Sequence, residues 1–181
     1  MAINKQMLDR FNRLNTVAKS NGAVFFGSDF FTELPLNELA SDFGVSAPVY
    51  NRSVSGLSIY EAESVLRDCI YELDPAKIFI NIGDADLAQG MTDTKRFLEA
   101  YEWLLYTIHR NSRVKIYIVS ICSSDPLANV INRGLKKIAE NTGCTYVDID
   151  RALSSDNREV QSFKQMKFFL RDKPFTFADA F

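Results

Sequence analysis

The chain has 181 residues, 46% of them hydrophobic and 24% charged, with a formal net charge of −2. That is enough for one domain with a sizeable core, and it leaves no basic footprint for nucleic acid or for an anionic membrane surface. No apolar run approaches the roughly 18 residues of a membrane span, and the opening "MAINKQMLDRFNRLN" lacks the apolar stretch of a signal peptide.

The apolar pattern then alternates between helical and strand periods. Residues 3–20 read as an amphipathic helix, with Met7, Leu8, Phe11, Leu14 and Val17 or Ala18 on one face. "AVFFGS" is a short buried strand, "LPLNELASDF" a short helix, and "PVYNRSVSG" a strand running into a Ser/Gly loop. Residues 58–73 are expected as one helix, capped by Ser58 with Glu61 at the reciprocal position. "AKIFINIGD" is a third strand with an unbroken apolar centre, Ile78 to Ile80, as for a strand covered on both faces. Residues 93–110 form a long helix, "VKIYIVSIC" a fourth strand, and the stretch from Ser123 a helix with Pro126 at its first position and Gly143 beyond its end. "CTYVDI" is a fifth strand, and one more helix or turn is expected over residues 158–170.

Strands alternating with helices predict a three-layer α/β/α fold around a five-stranded parallel sheet, in the flavodoxin-like order 2-1-3-4-5. No repeat or linker divides the chain, so residues 1–181 are read as a single domain. In such sheets the site lies at the carboxyl ends of the strands. That selects Gly27-Ser28-Asp29, Ser53 to Gly56, Gly83 to Asp86, and Ser120 to Ser124. Cys69, Cys122 and Cys144 are odd in number and lack CxxC spacing, so they are expected as buried thiols of a cytoplasmic protein.

In this order the four loops resemble the SGNH (GDSL-type) hydrolases, and most of all the branch similar to platelet-activating-factor acetylhydrolase. That family carries a Gly-Asp-Ser with the nucleophilic Ser, a Gly that donates to the oxyanion, a Gly-x-Asn-Asp whose Asn also donates, and a C-terminal Asp-x-x-His. Here "FFGSDFF" resembles the first block, with Asp29 at the Ser position and Ser28 at the Asp position. "NRSVSGLS" resembles the second, with Gly56 as the oxyanion glycine. "NIGDADL" resembles the third: Gly83 and Asp86 match, and Ala85 stands at the Asn position. "RDKPFTF" resembles the last, with Asp172 as the acid and Phe175 where the His belongs; by this alignment the domain is truncated at its C-terminus.

The resemblance implies an ester hydrolase, and the substitutions imply that its chemistry is gone. A Ser hydroxyl needs a base near neutrality, and the chain's one His, His109, falls at the end of a helix, on the wrong edge of the sheet. Ala85 has no amide to offer an oxyanion, a loss worth roughly 3–4 kcal/mol of transition-state stabilisation. The expected function is therefore that of a pseudoenzyme: a lipase/acylhydrolase-like fold that binds a small ligand or a protein partner. The alternative is an atypical esterase of short acyl or acetyl esters. In it Ser28 would act after a one-residue shift, or Asp29 would be a carboxylate nucleophile with Asp172 as base. Asp86 is expected to hold the turn after the third strand. Asp29, Asp84, Asp86 and Asp172 together would suit Mg²⁺ or Ca²⁺, but no dense D-x-D-x-D loop supports this, and neither metal nor cofactor is expected. The aromatic tail (Phe168, Phe169, Phe175, Phe177, Phe181) is the expected surface for a homodimer or a partner, with Phe175 sealing the old pocket.

Overall fold

Period-two alternation along the central strands sorts side chains onto two faces and sets the layering. A computed structural model describes residues 5–152 and 155–171. Its sheet comprises β1 (Ala23–Gly27), β2 (Val49–Asn51), β3 (Lys77–Asn81), β4 (Lys115–Val119) and β5 (Thr145–Val147). The strands are all parallel, in the order β2-β1-β3-β4-β5, as predicted. On one face Val24, Phe26, Ile78, Ile80, Ile116 and Ile118 share a core with α1 (Lys5–Asn15), α6 (Thr94–Asn111) and α7 (Pro126–Thr142). On the other, Phe25, Phe79, Tyr117 and Val119 pack with α2 (Asp29–Glu33), α3 (Leu36–Asp42) and α8 (Arg158–Leu170).

The long helices begin and end on the signals read from sequence. Asp93 caps α6 by accepting from the Arg96 N–H at 3.0 Å, and Asp125 caps α7 by accepting from Leu127 N–H at 2.8 Å. Pro126 opens α7, and Gly143 closes it in the left-handed region. Phe97, Tyr101 and Leu104 are buried, whereas Trp103 and Tyr106 are exposed and pack on each other. The α6 aromatics are thus core plus one open face. Among the described residues, no helix is long and apolar enough to cross a membrane.

Two expected helices come out differently. The first ends at Asn15 rather than Ser20. Val17 is 80% exposed, so of the two candidates only the small Ala18 packs against the core, and the Asn15 side chain is drawn to Asp68 O and to Arg52. The second, over residues 58–73, is a chain of short pieces: a 3₁₀ turn at Ala62–Val65, α4 (Leu66–Cys69) and another 3₁₀ turn at Tyr71–Leu73. Ala62, Val65, Leu66, Cys69, Ile70 and Leu73 are still buried as an amphipathic period requires. At the start of the segment the Ser58 hydroxyl donates to Asp86 and accepts from Tyr60 N–H at 3.3 Å, which closes a local turn there rather than opening one continuous helix. The three cysteines are free, and burial pushes the Cys69 thiol up to about 12.

Candidate functional site

The carboxyl ends of β1, β2 and β3 meet through a set of backbone and side-chain hydrogen bonds. After Gly27 the chain turns into α2, and Ser28 N–H donates to Asn81 O at 3.0 Å. Gly27 is required there because a Cβ would run into the Asn81 carbonyl. Val54 N–H in turn donates to Gly27 O at 2.9 Å, which carries the loop after β2 back over β1.

That loop delivers its donors to Asp29. The Ser55 hydroxyl donates to Asp29 Oδ1 at 2.7 Å, and Gly56 N–H donates to the same oxygen at 2.8 Å. Gly56 has φ +72, a conformation that glycine adopts without strain and that aims its N–H at the carboxylate. From the third loop, Asp84 Oδ2 accepts from Phe30 N–H at 2.7 Å, and Asp84 Oδ1 accepts from Ala85 N–H at 3.0 Å. Asp84 therefore caps α2 from another element, while Ser28, at the capping position itself, makes no side-chain cap bond. So Asp29, Gly56 and Ala85, separated in sequence, come to one place, as the strand order requires.

The remaining predicted residues divide as follows. Ser28 is fully buried and its Oγ has no hydrogen-bond partner, which makes it a packed hydroxyl rather than one presented to solvent. Asp86 is 4% exposed; it holds the Ser58–Ile59 segment across the cleft, not the turn after its own strand as expected. Asp172 and Phe175 lie outside the described residues. His109 is exposed in the last turn of α6, a helix that leads into the amino end of β4, remote from these loops. Among the described residues, no group of three or more His, Cys, Asp or Glu side chains is placed to hold a metal ion.

The sequence brought Ser55 and Asp84 to this end of the sheet, Ser55 as part of the loop after β2 and Asp84, the first residue of α5 (Asp84–Ala88), as a possible metal ligand, but not the hydrogen bonds they make. Arg158 was missed and carries no signal, being distant in sequence. Its guanidinium lies over the Phe30 ring at 4.7 Å and donates to Cys122 O at 2.7 Å.

The electrostatics are those of crowded acids. Burial pushes the Asp84 carboxyl up and the negative charge of Asp29 adds to this, while the N–H groups of Phe30 and Ala85 pull it back. Asp86 is likewise raised by burial, against the Ser58 hydroxyl and Ile59 N–H. Because the folded value of Asp84 lies above the unfolded one, the folded state holds its proton longer. This contribution to stability is present at low pH and is lost as pH rises through the folded value. Asp84→Asn keeps an acceptor for Phe30 N–H and has no proton to lose. Its urea midpoint relative to wild type should therefore rise between about pH 4, near the ordinary carboxylate value, and about pH 7. A gap that stays constant would mean that the Asp84 charge is not penalised.

No family model matches the chain, and no curated protein matches it. Solved structures do. A protein from Streptococcus pneumonia, provisionally named a platelet activating factor, is similar at 17% identity with a TM-score of 0.79, over 92% of each chain. A GDSL-like lipase from Bacteroides thetaiotaomicron VPI-5482 gives 16% identity and a TM-score of 0.66, over 90% of this chain and 96% of that one. The SGNH-hydrolase family esterase AlinE4 gives 16% and 0.61, over 77% and 82%. With the sheet order and the three converging loops, these likenesses establish that the chain has the SGNH-hydrolase fold.

Proposed function

We propose that this chain is a catalytically degenerate SGNH-fold protein that acts by binding a small ligand or a protein partner. The observation that carries this reading is the seat of Asp29. Its Oδ1 takes the N–H of Gly56 and the hydroxyl of Ser55. If Gly56 is the oxyanion donor, as the resemblance has it, that donor is already engaged by a carboxylate. A substrate carbonyl would have to displace a negative charge and then develop its own beside it, the reverse of the preorganised stabilisation that ester hydrolysis needs. Ala85 offers no side-chain donor in compensation, and the chain's one imidazole stands at the other end of the sheet.

The alternative, an atypical short-chain esterase with Asp29 as nucleophile, draws on the raised Asp84 carboxyl beside it. Acetyl and butyryl nitrophenyl esters separate the two readings. The expected result is no turnover above the uncatalysed rate, in wild type and in Asp29→Ala alike. Turnover in wild type that disappears in Asp29→Ala would carry the esterase reading instead.

A further inference from the structure

A buried arginine without an acidic partner marks a second place in the molecule. Arg52, the first residue past β2, is 5% exposed. Its Nε donates to Asn15 Oδ1 at 2.9 Å and its Nη1 to Asn51 O at 3.0 Å. The guanidinium lies 5.1 Å from the centroid of the Phe11 ring and 5.5 Å from that of Tyr50. Every one of these partners is neutral. Glu72 is linked to it only through the amide of Asn15, whose Nδ2 donates to that carboxylate at 3.3 Å. Among the described residues, no salt bridge involves Arg52. A buried charge is ordinarily paired, because removing it from water is costly. Burial presses against the charged form here, partly offset by Cys69 and Tyr50, and the positive charge of Arg10 adds to the pressure.

Arg52 also lines a cavity of about 350 Å³, between α1 and the edge strand β2. That volume falls in the range of small-molecule sites, about 300–1,000 Å³. Its lining includes Arg10, Arg52 and Asn37 on the polar side and Met7, Leu14 and Val49 on the apolar side, and it contains no Asp or Glu. Two cationic side chains thus share a cavity free of acids, in a chain whose net charge is −2. None of Asp29, Gly56, Asp84 and Asp86 takes part in the lining, although Thr32 of α2 and Ser53 of the loop after β2 do, so the place flanks the strand-end site without sharing its carboxylates.

We infer that this cavity binds a small amphiphilic anion, with its carboxylate or phosphate head on Arg52 and Arg10 and its hydrocarbon part against Met7, Leu14 and Val49. The inference goes beyond the proposed loss of ester chemistry and stands whichever way the ester assay falls. An anionic head supplies the missing counter-charge, and Arg is the side chain whose fork suits both carboxylate and phosphate. The opening between α1 and β2 lets a tail lie along Leu14, which is 42% exposed at the edge of the cavity.

The test is isothermal titration of the intact chain with four probes of equal tail length: octanoate, octyl phosphate, octanol and octylammonium. At least one of the two anions should bind, and the neutral and cationic probes should bind at least tenfold more weakly. Which anion binds better tells a carboxylate ligand from a phosphate monoester. Arg10→Gln, at an exposed position, should weaken the anion about tenfold, and Arg52→Gln by at least as much, in line with the loss of a charge-assisted hydrogen bond. Leu14→Trp, which narrows the mouth, should weaken it as well; its partly exposed site keeps the test open if Arg52→Gln fails to fold. Octanol binding as tightly as octanoate, no binding of either anion, or unchanged anion affinity in Arg10→Gln would each overturn the inference.

Discussion

Phe79→Ala should cost about 3–5 kcal/mol, roughly a fifth or more of the stability of an ordinary domain. Phe79 is at the centre of the sheet and fully buried. In register, Phe25 of β1, Phe79 of β3 and Tyr117 of β4 are direct neighbours. Their rings stack at 4.7 Å between centroids, Phe25 on Phe79 and Phe79 on Tyr117. Phe31 of α2 continues the row at 5.2 Å from Phe25, and Phe169 of α8 at 5.1 Å from Tyr117. Truncation therefore removes two ring contacts, each worth roughly 0.5–1.5 kcal/mol beyond area, and opens a void between strands that cannot close without breaking the ladder. Phe79→Leu fills most of the volume and should cost about 1–2 kcal/mol. Urea unfolding measures both: the midpoint should fall with an unchanged slope. A loss below about 1 kcal/mol for the Ala variant would mean that the two flanking rings collapse into the gap, and that the row is not rigid.

The parts of the fold visible in the sequence were those whose signals are local and doubled. α7 had Pro126 at one end, Gly143 at the other and a clear apolar face between, and it runs between those marks. β3 has an apolar centre, Ile78 to Ile80, and is buried at every position. Residues 58–73 were misread because burial and hydrogen bonding part company there. The spacing of Ala62, Val65, Leu66, Cys69 and Leu73 fits a 3₁₀ turn and a single α-turn as well as it fits one helix. The Ser58 hydroxyl closes only a local turn with Tyr60 N–H, and its other partner, Asp86, is 28 residues away in sequence. In the candidate site, the glycines and acids could be placed from strand ends alone. The pairing of Asp29 with Gly56, and of Asp84 with Phe30, depends on how two loops cross, which no local pattern encodes. Arg52 reads as just another charged residue until its burial is known.

Asp86→Ala should be the most damaging change at the candidate site, at about 2–4 kcal/mol. Asp86 is 4% exposed. Its Oδ1 accepts from the Ser58 hydroxyl at 2.6 Å, and Ile59 N–H donates to Oδ2 at 3.1 Å. Hydrogen bonds to a charged group are worth about 1.5–3 kcal/mol, and a buried donor left without a partner costs about 1–3. Against this, removing a carboxylate whose burial already disfavours its charge gives some of the loss back. The unpartnered donors should win, because Ile59 is itself buried. Asp86→Asn leaves an acceptor for Ile59 N–H, and the Ser58 hydroxyl can turn to accept from the new amide; it should lose only about 1 kcal/mol. The consequence reaches Asp29. The segment from Ser53 to Ile59 is tied down at three points: Ser53 and Val54 to β1, Ser55 and Gly56 to Asp29, and Ser58 and Ile59 to Asp86. Cutting the last tie should let the middle one open, so amide exchange at Gly56 should accelerate in Asp86→Ala although Gly56 does not touch Asp86. In Asp29→Ala exchange at Gly56 should accelerate while Ile59 stays protected. If Gly56 keeps its protection in Asp86→Ala, the buried side chains of Leu57 and Ile59, at 1% and 3% exposure, hold the loop by themselves. Asp86 would then stabilise only its immediate partners.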